Sequence, residues 1–273
     1  MKFWKLHGIG NDFIAIDKRF DQKSSSSYSN LAKNVCHRRF SVGADGLLIV
    51  KNSNRADVEM VYYNSDGSRA AMCGNGLRCF VKFVYDNNIV TKEEFSVETL
   101  DGIKNIRINT KDKTIKVNMG KYSFKSNDIL LDNNKDKFIN EKIKILDKEF
   151  NINFVLMGVP HVVILVDKLN KEEVFKYGKE IENHNIFPNK TNVNFVKIND
   201  YKNIHVHTWE RGCGYTFGCG TGMSACAVIC NYLNKVDKSV NVTSQGGCVK
   251  IDIEDFVYMT GPAVKICEGN LEV

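Results

Sequence analysis

Polar and apolar residues alternate along most of this chain, and a three-to-four-residue period replaces the alternation in four stretches. Alternation marks half-buried strands. It is clearest in Val58-Glu59-Met60-Val61 and Ile204-His205-Val206-His207. Strands are expected at residues 1–6, 13–17, 47–50, 58–63, 95–98, 105–109 and 114–119 in the first half. The second half supplies 154–156, 162–167, 194–198, 204–209, 240–243, 249–253 and 264–267. The helical period falls at residues 29–37, 77–87, 171–183 and 223–235. Many strands with few helices predict an α+β fold rather than a doubly wound sheet. Residues 18–30, with Ser24-Ser25-Ser26-Ser27, read as a flexible loop, and the Asn-rich stretch 121–148 as solvated linker and edge structure.

The two halves repeat one another. Cys73-Gly74-Asn75-Gly76 recurs as Cys219-Gly220-Thr221-Gly222, each followed by one of the apolar helical runs. His7-Gly8-Ile9-Gly10-Asn11-Asp12-Phe13 corresponds to Met157-Gly158-Val159-Pro160-His161-Val162-Val163, and both lead into an apolar strand ending in Asp. Residues 44–50 pair with 191–197, 57–64 with 203–210, and 95–109 with 241–254. So long a period excludes a solenoid and points to two similar domains. A length of 273 residues suits two domains of ordinary size. The first domain is expected at 1–118 and the second at 119–262, and the tail 263–273 has no counterpart in the first half.

Composition narrows the function. The chain is 43% hydrophobic and 26% charged, an ordinary globular balance. Its net charge of +6 is dispersed, without the basic stripe and interleaved aromatics of a nucleic-acid binder. No apolar run is long enough to span a membrane, and no secretory signal is expected at the start. Nine cysteines, an odd count with no signal, favour a reducing cytoplasm. There is no Cys-x-x-Cys pair, so a structural zinc site has little support. Cys79, Cys226 and Cys230 fall on helical runs and read as core packing. Cys36, Cys248 and Cys267 read as structural, and Cys213 is ambiguous.

The repeated motif carries the chemistry. A helix N-terminus leaves backbone N–H groups without intrahelical acceptors and carries partial positive charge. A thiol there has a lowered pKa. Gly74 and Gly220 let a ligand approach the backbone closely, and the same N–H groups can hold a carboxylate. If both helix starts converge, two thiols flank the carbon beside that carboxylate. One thiolate then removes a proton from one face, and the other thiol returns one to the opposite face, which inverts a stereocentre without a cofactor. A single Cys-Gly-x-Gly would read as a buried helix cap; its duplication in a duplicated chain favours the chemical reading.

Across nearly its whole length the chain resembles the diaminopimelate epimerase family. The resemblance rests on the His7–Phe13 block, Gly43-Ala44-Asp45-Gly46, Asn64-Ser65-Asp66-Gly67-Ser68 and Met72-Cys73-Gly74-Asn75-Gly76-Leu77-Arg78-Cys79. It continues through Met157-Gly158-Val159-Pro160-His161, Asn192-Val193-Asn194-Phe195, Glu210-Arg211-Gly212 and the second cysteine block. It implies an epimerase needing neither pyridoxal phosphate nor metal, with two pseudo-symmetric domains. Each would be a sheet wrapped around a central helix, with the active site in the cleft between them, and the tail would return to the first domain. It implies Cys73 and Cys219 as the acid/base pair, with His161 and Glu210 tuning the thiols. Gly74, Asn75, Gly220 and Thr221 would hold the reacting carboxylate. Glu210 and the backbone near Arg211 would take the α-amino group. Asn11, Asn64, Asn192 and the Arg211 guanidinium would read the distal end of a small amino-acid substrate. A homodimer is left open.

For His161 the plainer alternative is a loop histidine satisfied by backbone. For Asn11 and Asn64 it is turn chemistry, most seriously for Asn64 ahead of Ser65-Asp66-Gly67. The chain departs from the family at Val159, where many members have Asn, at Gly46, and around Cys213, Tyr215, Phe217 and Gly218. Val159 keeps open a sulfur-bridged substrate such as lanthionine. A single-amino-acid racemase of the histidine or proline kind needs the thiols but no distal reader. A non-catalytic binding or dithiol redox protein would need no glycines beside both thiols.

Overall fold

The computed structural model describes residues 1–20, 25–125 and 137–272. The chain divides into two compact units, one formed by Met1–Asn118 with the residues from Thr260 onward, the other by Met119–Met259.

The first unit begins with the hairpin β1 (Lys2–Gly8) and β2 (Asn11–Asp17). Ile9 and Gly10 between them both have positive φ, 48° and 85°. That matches the twist of a two-residue hairpin turn, but it is a costly backbone for a β-branched residue. Helix α1 (Ser25–Val35) follows, then β3 (Gly46–Lys51), β4 (Val58–Asn64) and the short β5 (Arg69–Ala70). Helix α2 (Gly74–Asp86) leads to β6 (Glu94–Thr99), β7 (Gly102–Asn109) and β8 (Thr114–Gly120). The strands pair in the order β1, β2, β3, β4, β6, β7, β8. The β2–β3 and β4–β6 pairs are parallel, and the others are antiparallel. Each parallel pair is bridged by a crossover helix, α1 or α2, as parallel neighbours require.

In the second unit β9 (Glu141–Ile145), β10 (Lys148–Met157) and β11 (Val159–Leu165) precede α3 (Lys171–Glu182). Next come β12 (Asn192–Asp200), β13 (Asn203–Glu210) and β14 (Gly214–Thr216). Helix α4 (Gly220–Tyr232), β15 (Ser239–Ser244), β16 (Gly247–Ile253) and β17 (Val257–Gly261) complete the unit. The pairing order β9, β10, β11, β12, β13, β15, β16 has parallel pairs at β11–β12 and β13–β15, the same two places as in the first unit. The last strand, β18 (Val264–Asn270), pairs with β1 as β9 pairs with β10. The tail therefore has its structural counterpart in the second half, at β9.

Each unit encloses one helix and covers its sheet with another. Helix α4 packs against β10, β11, β12, β13, β15 and β16. Its residues from Met223 to Cys230 are all buried, as expected for a helix apolar on every side. Helix α2 packs against β1, β2 and β3. Helix α3 instead buries one stripe, Val174, Tyr177, Gly178, Ile181 and Glu182. Asn170 caps it by accepting from the Glu172 N–H at 2.9 Å. In the first unit Tyr28, Ala32 and Val35 of α1 join a core with Ile14, Ile16, Leu47 and Ile49.

Three sequence expectations need revision. Helix α1 starts at Ser25, inside the stretch read as a loop; residues 21–24 of that stretch lie outside the described residues. Serine disfavours helix interiors but suits first turns, so a serine run precedes a helix as readily as it forms a loop. In the stretch 121–148, residues 126–136 also lie outside, while β9 buries Ile143 and Ile145. Cys248 and Cys267, read as structural, are exposed. The units divide between Met259 and Thr260. The Pro262 carbonyl accepts from Arg78 Nε at 3.2 Å, which ties that segment to α2.

Candidate active site

In the first unit Cys73 is the N-cap of α2, with extended backbone, and its Sγ accepts from the Gly76 N–H at 3.4 Å. The thiol donates to Asn11 Oδ1 at 3.5 Å. Asn11 is oriented from behind, because its Nδ2 donates to Asp45 Oδ2. Asp45 also accepts from the Asp12 N–H, and Arg38 bridges Asp12 and Asp45 at 2.7 and 2.6 Å. Lys5 reaches Asp12 at 3.1 Å. Burial would raise the Asp12 pKa, but hydrogen bonds from Arg38 and Lys5 prevail and hold its carboxyl below the ordinary value. Asn11, Asp45 and Asp12 thus form one hydrogen-bonded support behind Cys73.

Asn75, at the second position of α2, is buried and accepts through Oδ1 from Arg78 Nη2 at 2.8 Å. Arg78 is fully buried and also donates to the Gly74 carbonyl at 3.3 Å. A guanidinium buried under this helix start is a feature the sequence reading did not single out. Asn64 stands apart from this cluster in its contacts. Its Nδ2 donates to Ser68 Oγ, and its Oδ1 accepts from Tyr62, so its amide is occupied by the turn that follows β4.

The second unit repeats the thiol geometry. Cys219 is the N-cap of α4, extended and buried, and accepts from the Gly222 N–H at 3.3 Å. Thr221 Oγ1 lies 3.4 Å from Sγ, and Ser224 donates to the Gly220 carbonyl. Gly222 has no room for a side chain: a Cβ there would run into Asn194 Oδ1 and lie 3.2 Å from Cys219 Cβ.

Asn192 and the 210–212 turn form the other part of this site. Asn192 Nδ2 donates to the Pro160 carbonyl at 2.9 Å, while Oδ1 accepts from the Arg211 N–H at 3.0 Å. Glu210 accepts from Thr216 Oγ1 at 2.6 Å, and Arg211 Nη1 donates to the Asn189 carbonyl at 2.9 Å. Glu182, buried at the end of α3, accepts from Trp209 Nε1 at 2.8 Å and from the Gly212 N–H at 3.0 Å. Gly178 lets α3 sit directly on the Trp209 ring, where a Cβ would come within 2.8 Å. Glu182 was missed in the sequence; a charged residue on an otherwise apolar helical stripe is the signal that could have found it. His161 is fully buried on β11, and burial followed by the Arg211 charge lowers its pKa to about 3.

Burial sets the remaining inner thiols apart. It pushes Cys79 and Cys226 well up and Cys230 to about 12. Cys36 also rises to about 12, by burial and then by the Asp12 and Asp45 charges. Thiols held protonated in this way are inert as bases. Among the described residues no His, Cys, Asp and Glu cluster could hold a metal ion, and no helix is long and apolar enough to cross a membrane.

Two units of one fold, each with a cysteine capping its enclosed helix, make up a class of duplicated α/β architecture that recurs among solved structures. A probable proline racemase from Agrobacterium radiobacter K84, with bound carbonate, superposes with TM-score 0.72 at 13% identity, covering 100% of this chain and 93% of that one. Likeness at that identity speaks for the fold alone. Within the class, residues 3–125 and 153–266 match the family model described as diaminopimelate epimerase. The diaminopimelate epimerase of Alkaliphilus metalliredigens is 49% identical over 98% of this chain and 96% of its own length. That of Clostridium perfringens is 46% identical over 99% of each. The chain belongs to the diaminopimelate epimerase family, and is an enzyme of that family.

Proposed function

We propose that this enzyme interconverts LL- and meso-2,6-diaminopimelate without a cofactor, using Cys73 and Cys219 as an acid/base pair. The reaction would serve lysine and peptidoglycan-precursor synthesis in the cytoplasm, where thiols stay reduced. The observation that carries the reading is the repeated cap: each unit builds, from its own sequence, a cysteine whose Sγ lies 3.3–3.4 Å from the third N–H of a helix. Family membership supplies the substrate.

The chemistry follows from that cap. A helix start favours negative charge on whatever its N–H groups face. One thiolate takes the proton from the substrate α-carbon, and the other thiol donates its proton to the opposite face. Gly74, Asn75, Gly220 and Thr221 hold the carboxylate beside that carbon through first-turn N–H groups. Negative charge that develops there on deprotonation meets preorganised dipoles. Glu210, braced by Thr216, receives the α-ammonium group. Arg211, Asn192 and Asn11 read the distal end, and Asn11 also accepts a hydrogen bond from the Cys73 thiol. Asn64 reaches substrate only by exchanging its contacts with Ser68 and Tyr62.

The test is turnover by purified protein without added pyridoxal phosphate or metal. LL-diaminopimelate, lanthionine, histidine and proline are each followed by chiral chromatography. Conversion of LL-diaminopimelate to the meso form, faster than any of the other three, is expected. Faster turnover of lanthionine, histidine or proline would overturn the substrate assignment.

A further inference from the structure

Three buried side chains on adjacent strands of the second unit form a chain of hydrogen bonds whose polarity can be read without seeing a hydrogen. Asn194 on β12 lies between His161 on β11 and Thr208 on β13. Its Nδ2 is 3.0 Å from the Val162 carbonyl oxygen and 3.2 Å from His161 Nδ1. Its Oδ1 accepts from Thr208 Oγ1 at 3.0 Å. A backbone carbonyl can only accept, so the atom facing Val162 must be the amide nitrogen. The second hydrogen of that nitrogen then points at Nδ1, which must present a lone pair. A neutral imidazole with a lone pair on Nδ1 carries its hydrogen on Nε2. Among the described residues no acceptor lies within hydrogen-bonding distance of Nε2, which is buried. A buried donor without an acceptor is costly and calls for a reason, of which a catalytic role is one.

We infer that Asn194, locked by Thr208 and the Val162 carbonyl, is a positioning residue that fixes His161 as a neutral Nε2–H donor. In this role His161 gives a hydrogen bond to an anionic acceptor of the reaction and neither takes nor releases a proton. The inference rests on the epimerase reading for its chemistry, but the tautomer itself can be measured without substrate. Burial agrees with it, since the imidazole remains neutral across the physiological range. Among the described residues, the charge that acts on the ring is that of Arg211, and it too disfavours the imidazolium.

The experiment is long-range proton–nitrogen NMR on protein labelled with nitrogen-15 histidine, with the His161 signals assigned by their loss in His161→Gln. The wild type should show the Nε2–H pattern and no titration of His161 from pH 5.5 to 9. Asn194→Asp replaces the N–H donor with a carboxylate, which can only accept, so the proton should move to Nδ1. With it, kcat on diaminopimelate should fall about tenfold or more, the worth of one charge-assisted hydrogen bond, with KM within about twofold. Thr208→Val should loosen the lock and mix the tautomers, and Thr208→Ser should restore the wild-type pattern, which keeps the test open if Asn194→Asp folds poorly. An Nδ1–H pattern or a titrating His161 in the wild type would overturn the inference. So would an unchanged tautomer in both Asn194→Asp and Thr208→Val, or a switched tautomer with unchanged kcat. Tautomer switching in a protein that never turns over diaminopimelate would leave the lock standing and remove the substrate assignment instead.

Discussion

Alanine at the two matching glycines, Gly76 and Gly222, should have unequal consequences. Both occupy the third position of a capped helix and donate their N–H to the capping sulfur. At Gly76 an added Cβ would lie 3.3 Å from two carbons of the Phe13 ring and 3.5 Å from Cys73 Cβ. A ring can give by a few tenths of an ångström. The strain of about 1 kcal/mol is offset by the gain of roughly 1 kcal/mol on replacing glycine in a helix. Gly76→Ala should therefore be near neutral in stability. At Gly222 the new Cβ lands on Asn194 Oδ1, with Cys219 Sγ at 3.3 Å. Asn194 cannot retreat without giving up its bonds to Thr208, Val162 and His161. Overpacking of about 1–3 kcal/mol and at least one lost hydrogen bond of about 1 kcal/mol outweigh the same helix gain. The net loss should be roughly 2 kcal/mol, and epimerisation should slow by about tenfold or more as the N–H moves off the sulfur. Urea unfolding midpoints and initial rates of the two variants measure both effects. Equal stability of Gly222→Ala and Gly76→Ala would refute the packing argument.

Other expectations follow from the same contacts. Cys73→Ala and Cys219→Ala should each lower epimerisation by roughly 10²–10⁴-fold, while elimination from an analogue with a good leaving group, which needs one base, survives in one of them; near-normal racemisation by either variant would defeat the two-thiol model. Glu182→Ala removes two hydrogen bonds to a buried carboxylate and should cost about 2–3 kcal/mol, with KM rising more than kcat falls because the Arg211 turn loosens; an unchanged KM would place Glu182 outside substrate binding. The folded His161 value of about 3 lies below the ordinary 6.5, so unfolding takes up a proton between those limits. Its stabilising contribution is complete above pH 6.5 and declines as pH falls toward 3, by about 1.4 kcal/mol per pH unit. His161→Gln should flatten the stability profile between pH 6.5 and 5, and an unaltered slope would assign that loss to other groups.

Both helix caps of the candidate site were legible because their residues announce themselves locally. A cysteine ahead of Gly-x-Gly and an apolar run specifies a helix cap, and the duplication identified both caps at once. The enclosed character of α4 was also readable, since it has no polar face. What remained hidden depends on strand register. Asn194 looks like any polar residue in an alternating strand until Thr208 and His161 are placed on either side of it. Asp45, behind Asn11, is reached only through the β2–β3 pairing. The turn reading of Asn64 agrees with its observed partners, Ser68 and Tyr62. Strands β5 and β14 are two and three residues long, too short for any period to show. The tail's equivalence to β9 was invisible because the two strands lie at opposite ends of their units in sequence.

Two thiols serving one carbon from opposite faces are told apart from a single base by initial-rate isotope exchange. LL-diaminopimelate is converted in deuterated water, and mass spectrometry follows the α-hydrogens of recovered substrate and of product. Two bases predict meso product carrying one solvent deuterium from the first turnover, while recovered substrate still holds its original hydrogen. Product that retains the substrate's own α-hydrogen would show a single base returning the same proton, and would contradict the account.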